Sequence, residues 1–185
     1  VYKRQLNLLM NGNVFLYYGE ELGMKGSGKD ENKRAPMYWS KDGNAEGMCK
    51  GPADMDDFRM KFDSLEEQQE DPDSIYNYVK QVIRVRNQNP VIARGTTAYL
   101  EQYSGEQCFA LTRSYEGSNL LLLGNTSAEA VSVDLTGLTV GGTTAEELVL
   151  LGELYTGEET AERAGTVVTL PAYSILILSL IHISE

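Results

Sequence analysis

Two adjacent carboxylates follow an apolar run near the start of the chain. Residues 14–18 are continuously apolar or aromatic, Gly19 interrupts them, and Glu20 and Glu21 come next. The run is short and β-prone, which predicts a strand covered on both faces. Charged residues at the carboxyl end of such a strand lie where ligands bind in α/β sheets and barrels. Adjacent side chains diverge on a regular backbone, so these carboxylates cannot act on one bond as an acid and nucleophile pair.

Other kinds of catalytic site have little material in this sequence. The 185 residues include one histidine, His182, and two cysteines, Cys49 and Cys108. This content disfavours a Cys/His zinc site and a Ser/His/Asp triad. The cysteines are far apart and are predicted to be free thiols, with a single disulfide as the alternative. We predict no cofactor.

The chain is strongly acidic, with a formal net charge of −11. This charge disfavours binding to a nucleic-acid backbone or an anionic membrane, because each contact would begin from repulsion. Carboxylates cluster in the long irregular stretch after Gly19: Asp54, Asp56, Asp57, Glu66, Glu67 and Glu70. Their spacing does not match the fixed oxygen positions of an EF-hand loop. We therefore predict a solvated acidic face rather than a calcium site, and no bound metal.

Helical periodicity appears twice before residue 95. One helical face carries the first apolar side chains: Tyr2, Leu6, Leu9 and Met10. The predicted strand at residues 14–18 comes next. A second helix is predicted to run to about Asn87, with Asp71 as its capping residue and Pro72 at its first position. Helix, strand and helix in this order are typical of an α/β repeat.

The character of the chain changes after Gly95. Seven short β-prone runs cover residues 96–103, 107–115, 119–124, 130–135, 148–154, 166–170 and 173–178. Gly-, Ser- and Asn-containing turns separate them, and short strands at this spacing predict a small antiparallel sandwich. We expect this sheet to fold for its own stability and to pack on its neighbour, with no catalytic residue in it.

Segments of the first half resemble the α-amylase family of glycoside hydrolases. Leu-Tyr-Tyr-Gly-Glu-Glu-Leu-Gly-Met at residues 16–24 and Arg-Ala-Pro-Met-Tyr-Trp at residues 34–39 are similar to that family's eighth barrel strand and the following loop. Four further segments look like its last barrel helix: residues 64–68, 73–75, 83–87 and 89–95. The resemblance implies an α/β remnant over residues 1–95, the last helix-strand-helix of a TIM barrel, followed by an all-β antiparallel sandwich over residues 96–185.

The resemblance also implies a reaction. The family cleaves α-glucosidic bonds with retention, using a carboxylate nucleophile, a carboxylic acid and a third carboxylate. In the family these come from barrel strands four, five and seven, the last in an Asn-His-Asp segment that is absent from this sequence. We therefore expect no catalytic residue here, and interpret the chain as a fragment of a longer enzyme, inactive alone. Its loop looks most like those of oligo-1,6-glucosidases, α-glucosidases and neopullulanases.

By the same resemblance, three residues are candidates for contact with an α-glucan or malto-oligosaccharide: Glu20, Arg34 and Trp39. We expect Glu20 to orient neighbouring side chains at the floor of a cleft, with direct sugar contact or simple exposure as alternatives. Arg34 is expected to contact sugar hydroxyls or a distant acidic residue, or else to brace its loop. Trp39 is a candidate for stacking on a sugar face. Tyr17 and Tyr18 are candidates too, although the core of the predicted strand is the favoured place for them.

Two other functions stay open. A stand-alone carbohydrate-binding or interaction module would account for the sandwich and the many tyrosines. A transglycosylase of the same family, such as a sucrose- or trehalose-converting member, would share the barrel. Residues 179–185 resemble a non-native tail, with an extension of the last strand as the alternative, so His182 is given no role.

Overall fold

The computed structural model of the chain describes residues 2–43, 45–154 and 159–179, and only the backbone of residues 2–5. The predicted tail with His182 lies outside the described residues, except for Ser179. The chain divides into two compact units, one made of Val1–Val14 and Val82–Glu185, the other of Phe15–Gln81. The division between barrel and sandwich near residue 95 rests on the sequence and stays a prediction.

Helices and irregular segments make up the chain before residue 95. The α-helices are α1 (Tyr2–Leu9), α2 (Asp30–Lys33), α3 (Leu65–Glu70), α4 (Ile75–Gln88) and α5 (Pro90–Arg94). Single 3₁₀ turns cover Glu20–Leu22, Glu101–Tyr103 and Ala145–Glu147. The two helices predicted from periodicity are confirmed as α1 and α4. None of the helices described is long and apolar enough to cross a membrane.

The start of α4 differs from the prediction. Ser74, not Asp71, is the capping residue, because the Ser74 hydroxyl accepts a hydrogen bond from the backbone N–H of Asn77 at 3.2 Å. The Asp71 carboxylate instead accepts from the N–H of Asp73 at 2.9 Å, in a turn before the helix. Both residue types cap helices well, so local sequence could not decide between them.

The predicted buried strand at residues 14–18 is wrong for this structure. No strand is assigned there, and the side chains of Phe15 and Tyr17 are 85% and 58% exposed. A strand needs a neighbour to accept its backbone hydrogen bonds. In the part of the chain that the structure describes, all strands begin at Thr96 or later, and none pairs with this run.

The second half is an antiparallel β-structure, as predicted. Its strands are β1 (Thr96–Tyr99), β2 (Cys108–Tyr115), β3 (Ser118–Asn125), β4 (Val131–Asp134), β5 (Thr139–Val140), β6 (Thr143–Thr144), β7 (Val149–Leu154), β8 (Glu162–Ala164), β9 (Val167–Leu170) and β10 (Ile175–Ser179). A five-stranded sheet has the order β1-β2-β3-β10-β7, a three-stranded sheet β4-β9-β8, and β5 and β6 form a hairpin. Helices first and antiparallel sheets after confirm the fold class, a barrel remnant followed by a β-sandwich. The seven predicted strands are present.

The core of the sandwich lies between the two larger sheets. Leu121 and Leu123 of β3 belong to one buried cluster with Val133 of β4 and Val168 of β9. Because strand side chains alternate, Leu122 faces away from this cluster, yet it is also buried. Helix α5 packs on β2 and β3. Each fully buried leucine stabilises the fold by about 1.5–3 kcal/mol relative to exposure.

Candidate substrate-contacting site

A sharp turn positions Glu20 and Glu21. The 3₁₀ turn Glu20–Leu22 is flanked by Gly19 and Gly23, whose φ angles of 83° and 65° are left-handed. A side chain at Gly23 would also come within 2.7 Å of neighbouring side chains. Leu22 is buried, which anchors the turn. Both glutamates are half-buried, and one carboxylate oxygen of Glu21 is fully buried.

Gln68 holds this turn from α3. Its amide Nε2 donates to the Leu22 carbonyl at 3.0 Å and to the Asp63 carbonyl at 2.7 Å. Its Oε1 accepts from the backbone N–H of Tyr76 at 3.0 Å. Gln68 is only 3% exposed, so each bond is shielded from water. Sequence reasoning gave this residue no role, because Gln68 is one of two adjacent glutamines in an acidic helix and no local pattern distinguishes it from Gln69.

Arg34 directly follows α2 and is braced by that helix. Its Nη2 lies 3.4 Å from a Glu31 carboxylate oxygen, and its Nε donates weakly to the Asp30 carbonyl at 3.5 Å. The arginine side chain is 58% exposed. An exposed ion pair of this kind contributes little to stability. Arg34 therefore has only weak contacts with α2, and most of its guanidinium is open to solvent.

Tyr17 and Tyr18 form an exposed aromatic pair rather than part of a strand core. Their ring centroids are 4.8 Å apart, and the rings are 58% and 44% exposed respectively. The Tyr18 hydroxyl donates to the Ala35 carbonyl at 3.0 Å. Partial burial, then the nearby Tyr17 and Cys49, raises the pKa of Tyr18 above its ordinary value, and the positive charge of Arg34 opposes this. The core placement predicted for the tyrosines is wrong, because residues 14–18 form no strand and both tyrosines are exposed.

Trp39 is held by its backbone and leaves its ring accessible. Its carbonyl accepts from the Glu66 N–H at 3.1 Å, and the preceding Tyr38 carbonyl accepts from the Leu65 N–H at 2.9 Å. These bonds attach residues 38 and 39 to the first turn of α3. The tryptophan is 42% exposed. A fixed backbone with a partly free indole is a suitable arrangement for stacking on a flat apolar face.

A buried asparagine connects α2 to the acidic stretch. Asn32, 5% exposed, donates from Nδ2 to the Asp56 carboxylate at 2.7 Å and accepts from the Asp56 N–H at 3.0 Å. Lys29 pairs with the same carboxylate at 2.8 Å. The Asn32 hydrogen bond, then the Lys29 bond, lowers the pKa of Asp56 below its ordinary value. Within the described ranges, no three His, Cys, Asp or Glu residues are grouped so as to hold a metal.

The three candidate contact residues lie in one compact unit. Glu20, Arg34 and Trp39 all belong to Phe15–Gln81, on a turn, a helix end and a loop. Buried polar residues hold these segments: Gln68 beside the turn and Asn32 beside Arg34. The arrangement offers a carboxylate, a guanidinium and aromatic rings to a polar ligand with apolar faces. Contact with a substrate stays a prediction.

Comparison with known families and curated proteins finds alpha-amylases and a trehalose synthase. Residues 3–95 match the alpha-amylase catalytic domain. The chain is 32% identical over 88 residues to alpha-amylase 3 of Dictyoglomus thermophilum, covering 48% of this chain and 18% of that protein. It is 27% identical over 141 residues to trehalose synthase of Thermus thermophilus, covering 70% of this chain and 14% of that protein.

Solved structures show the same likeness over nearly the whole chain. Amy13B of Eubacterium rectale superposes with a TM-score of 0.89 at 41% identity, covering 97% of this chain. The match spans 34% of the Amy13B chain. This chain therefore corresponds to about a third of that structure and to less than a fifth of the two curated relatives.

Proposed function

We propose a function from one premise: this chain belongs to the alpha-amylase family. It is the C-terminal part of a retaining glycoside hydrolase that cleaves α-glucosidic bonds in starch-derived glucans or malto-oligosaccharides. The catalytic carboxylates lie outside these 185 residues. The chain contributes part of the wall of the substrate cleft and a β-sandwich.

The observation that carries this proposal is the pair of coverages in the structural match. Nearly all of this chain, 97%, superposes on 34% of Amy13B, and the matched family is a catalytic domain. The largely exposed run at residues 14–18, which pairs with none of the strands described, supports the same proposal. Four consecutive apolar or aromatic side chains, at residues 15–18, are all more than a third exposed. Such a run is typical of a surface that another part of a protein covers.

The local carboxylates support a binding role rather than a catalytic one. Retaining hydrolysis needs two carboxyl groups about 5 Å apart, facing each other across the scissile bond. Glu20 and Glu21 are neighbours on one tight turn, so their side chains diverge and do not face each other across a bond. We assign Glu20 to orienting groups at the cleft, Arg34 to hydrogen bonds with sugar hydroxyls, and Trp39 to stacking on a sugar ring.

The subtype proposed is an enzyme of short malto-oligosaccharides, similar to oligo-1,6-glucosidases, α-glucosidases or neopullulanases. The motif Arg-Ala-Pro-Met-Tyr-Trp at residues 34–39 supports it. A transglycosylase is the second candidate, favoured by the similarity to a trehalose synthase over 70% of this chain. A stand-alone carbohydrate-binding module is disfavoured, because the family match covers residues of a catalytic domain rather than the sandwich.

A chimera tests the proposal. In it, this chain replaces the matching third of Amy13B, and hydrolysis of maltotriose, panose and soluble starch is compared with that of unaltered Amy13B. We expect activity within about tenfold of the parent, since the catalytic carboxylates stay in place and the exchanged part forms only one wall. A folded but inactive chimera would contradict the proposal, with circular dichroism and the melting temperature as controls for folding.

The products separate the two candidate reactions. A retaining hydrolase releases glucose or maltose with the α-anomeric configuration, which proton NMR detects in the first minutes of reaction. A transglycosylase converts maltose mainly to an isomeric or longer saccharide, which chromatography resolves. We expect hydrolysis to dominate in the chimera.

A further inference from the structure

Two arginines from distant parts of the chain converge on the end of α1. Arg86 lies on α4, and Arg113 lies on β2. Arg86 donates from Nη1 to the carbonyls of Leu8 at 2.8 Å and Met10 at 2.6 Å. Its Nη2 donates to the carbonyl of Gly12 at 2.5 Å. One guanidinium thus contacts three carbonyls at the end of the helix and just after it.

Arg113 reaches the same helix end from the sandwich. Its Nη2 donates to the Leu9 carbonyl at 3.1 Å, and its Nη1 donates to the hydroxyl of Thr97 on the neighbouring strand β1. The residue is 0% exposed. Arg86 and Arg113 together therefore bind the carbonyls of three successive residues, 8 to 10, and that of Gly12.

These carbonyls are the groups that an α-helix cannot satisfy itself. The last C=O groups of a helix have no N–H partner within it, and they carry the negative end of the helix dipole. Positive side chains are favourable there, and a guanidinium fork can bind more than one oxygen. In addition, the N–H of Gly12 donates to the Ala93 carbonyl at 2.8 Å, which fixes the loop after α1 from a second side.

Burying the charged guanidinium of Arg113 costs desolvation free energy. Burial, and then the nearby charge of Arg86, lowers the pKa of Arg113 below its ordinary value, although a guanidinium stays protonated. Among the residues that the structure describes, its buried Nε has no hydrogen-bond partner and no carboxylate pairs with it. A buried charge is weak evidence of added stability, whereas the two directed hydrogen bonds of Arg113 indicate a role in specifying geometry.

We propose that Arg86 and Arg113 are positioning residues, a pair we call the arginine clamp, through which the β-sandwich and α4 hold the end of α1 and the loop at residues 10–12. The loop leads in sequence to Phe15 and the turn that bears Glu20. The sandwich thus fixes the position of the end of α1, in addition to any role in solubility or sugar binding. The inference concerns contacts within one compact unit and does not depend on the proposed reaction.

Hydrogen–deuterium exchange of the full chain tests the clamp. The variants are Arg113→Met, which keeps apolar length without donors, Arg113→Lys, and Arg86→Lys. The matched control is Arg84→Lys, which alters an exposed arginine on the same helix. We expect amides of residues 6–12 to exchange at least about tenfold faster in the clamp variants, since each lost bond to a charged donor is large on this scale. Amides of residues 120–123 and the Arg84→Lys control should be unchanged.

Three results would overturn the proposal. If Arg113→Met leaves residues 6–12 as protected as in the unaltered chain, the arginine only fills space. If protection falls equally in residues 6–12 and in β3, Arg113 is a general core residue. If Arg113 variants do not fold, Arg86→Lys decides alone, because a single ammonium cannot reach three carbonyls: faster exchange at residues 6–12 supports the clamp, and unchanged exchange refutes it.

Discussion

Different interactions stabilise the interior of the sandwich and the interior of the Phe15–Gln81 unit. The sandwich has continuous strand ladders around a leucine- and valine-rich cluster. In its described residues, Phe15–Gln81 has short helices, the first turns of α4 and no strand, and buried polar side chains such as Gln68 and Asn32 connect its loops. Apolar packing gives the first region its stability, whereas specific hydrogen bonds give the second its shape.

The difference matches the distribution of the candidate contact residues. Glu20, Arg34 and Trp39 all lie in the region of loops and polar connections. Loops tolerate the exposed charged and aromatic side chains that bind ligands, provided that something fixes their backbone. Here Gln68 and Asn32, which we call the polar hubs, fix the backbone of these loops. We conclude that changes to the sandwich core should act on global stability, and changes to the hubs on local order.

The largest effect should come from the sandwich core. Leu121→Ala removes a 0% exposed side chain from the centre of the cluster. We expect a loss of roughly 2–5 kcal/mol in the free energy of unfolding, measured by urea titration, because the cavity cannot fully collapse. The control Leu150→Ala alters a 56% exposed leucine on the edge strand β7 and should change stability by less than about 0.5 kcal/mol. Equal effects of the two substitutions would show that the buried cluster is not the main source of the sandwich's stability.

A polar hub should act locally and less strongly. Gln68→Met keeps the length of the side chain but leaves the Leu22 and Asp63 carbonyls without their donor. We expect the free energy of local opening of this turn to fall by about 1–3 kcal/mol. Limited proteolysis at residues 19–24 should become faster, while the hydrogen–deuterium exchange of the amides of residues 120–123 should stay unchanged. Gln69→Met, at the exposed neighbouring position, is the control. Loosening of the sandwich in Gln68→Met would show that the two regions do not respond separately.

A substrate-contact residue should change binding without changing stability. In the Amy13B chimera, Trp39→Ala is expected to raise KM for maltotriose by about tenfold, since the loss of an aromatic stacking contact costs about 1 kcal/mol or somewhat more. Trp39→Phe should recover part of this. Tyr99→Ala removes an aromatic side chain, 60% exposed, from the sandwich and should leave KM unchanged. A larger KM effect from Tyr99→Ala would favour sugar binding by the sandwich instead.

The smallest effect concerns acid stability at Asp56. The pKa of this carboxyl is lowered in the folded chain by Asn32 and Lys29, so its contribution is present above the ordinary value of 3.8 and is lost as the pH falls through the folded value. Asp56→Asn should therefore make the urea midpoint less dependent on pH below about pH 4. Asp57→Asn, an exposed neighbour, is the control. An identical pH dependence in both variants would contradict the role assigned to the Asn32 and Lys29 contacts.

Sequence patterns predicted the elements that carry a local period. Helices α1 and α4 follow from repeating apolar positions, and the seven longer sandwich strands follow from β-prone runs between turns. Strands β5, β6 and β8 are two or three residues long, too short for any alternation to appear. Residues 14–18 have strand composition but no pairing partner among the described residues, and pairing is a property that one segment cannot encode.

The site was predictable as residue types but not as geometry. The motifs containing Glu20, Arg34 and Trp39 pointed to the family. The residues that fix them did not stand out, because Gln68 bonds to a carbonyl 46 residues away and Asn32 to a carboxylate 24 residues away. Arg113 binds a carbonyl 104 residues away. Contacts of such separation leave no local pattern, so a structure was needed to find them.

We propose that this chain is part of an α-glucan hydrolase whose catalytic carboxylates lie elsewhere. Release of glucose from maltotriose tests this directly. The assay compares the pure 185-residue chain with the Amy13B chimera under the same conditions. We predict no release above the buffer blank from the chain and near-parental release from the chimera. Glucose release by the pure chain would contradict the account.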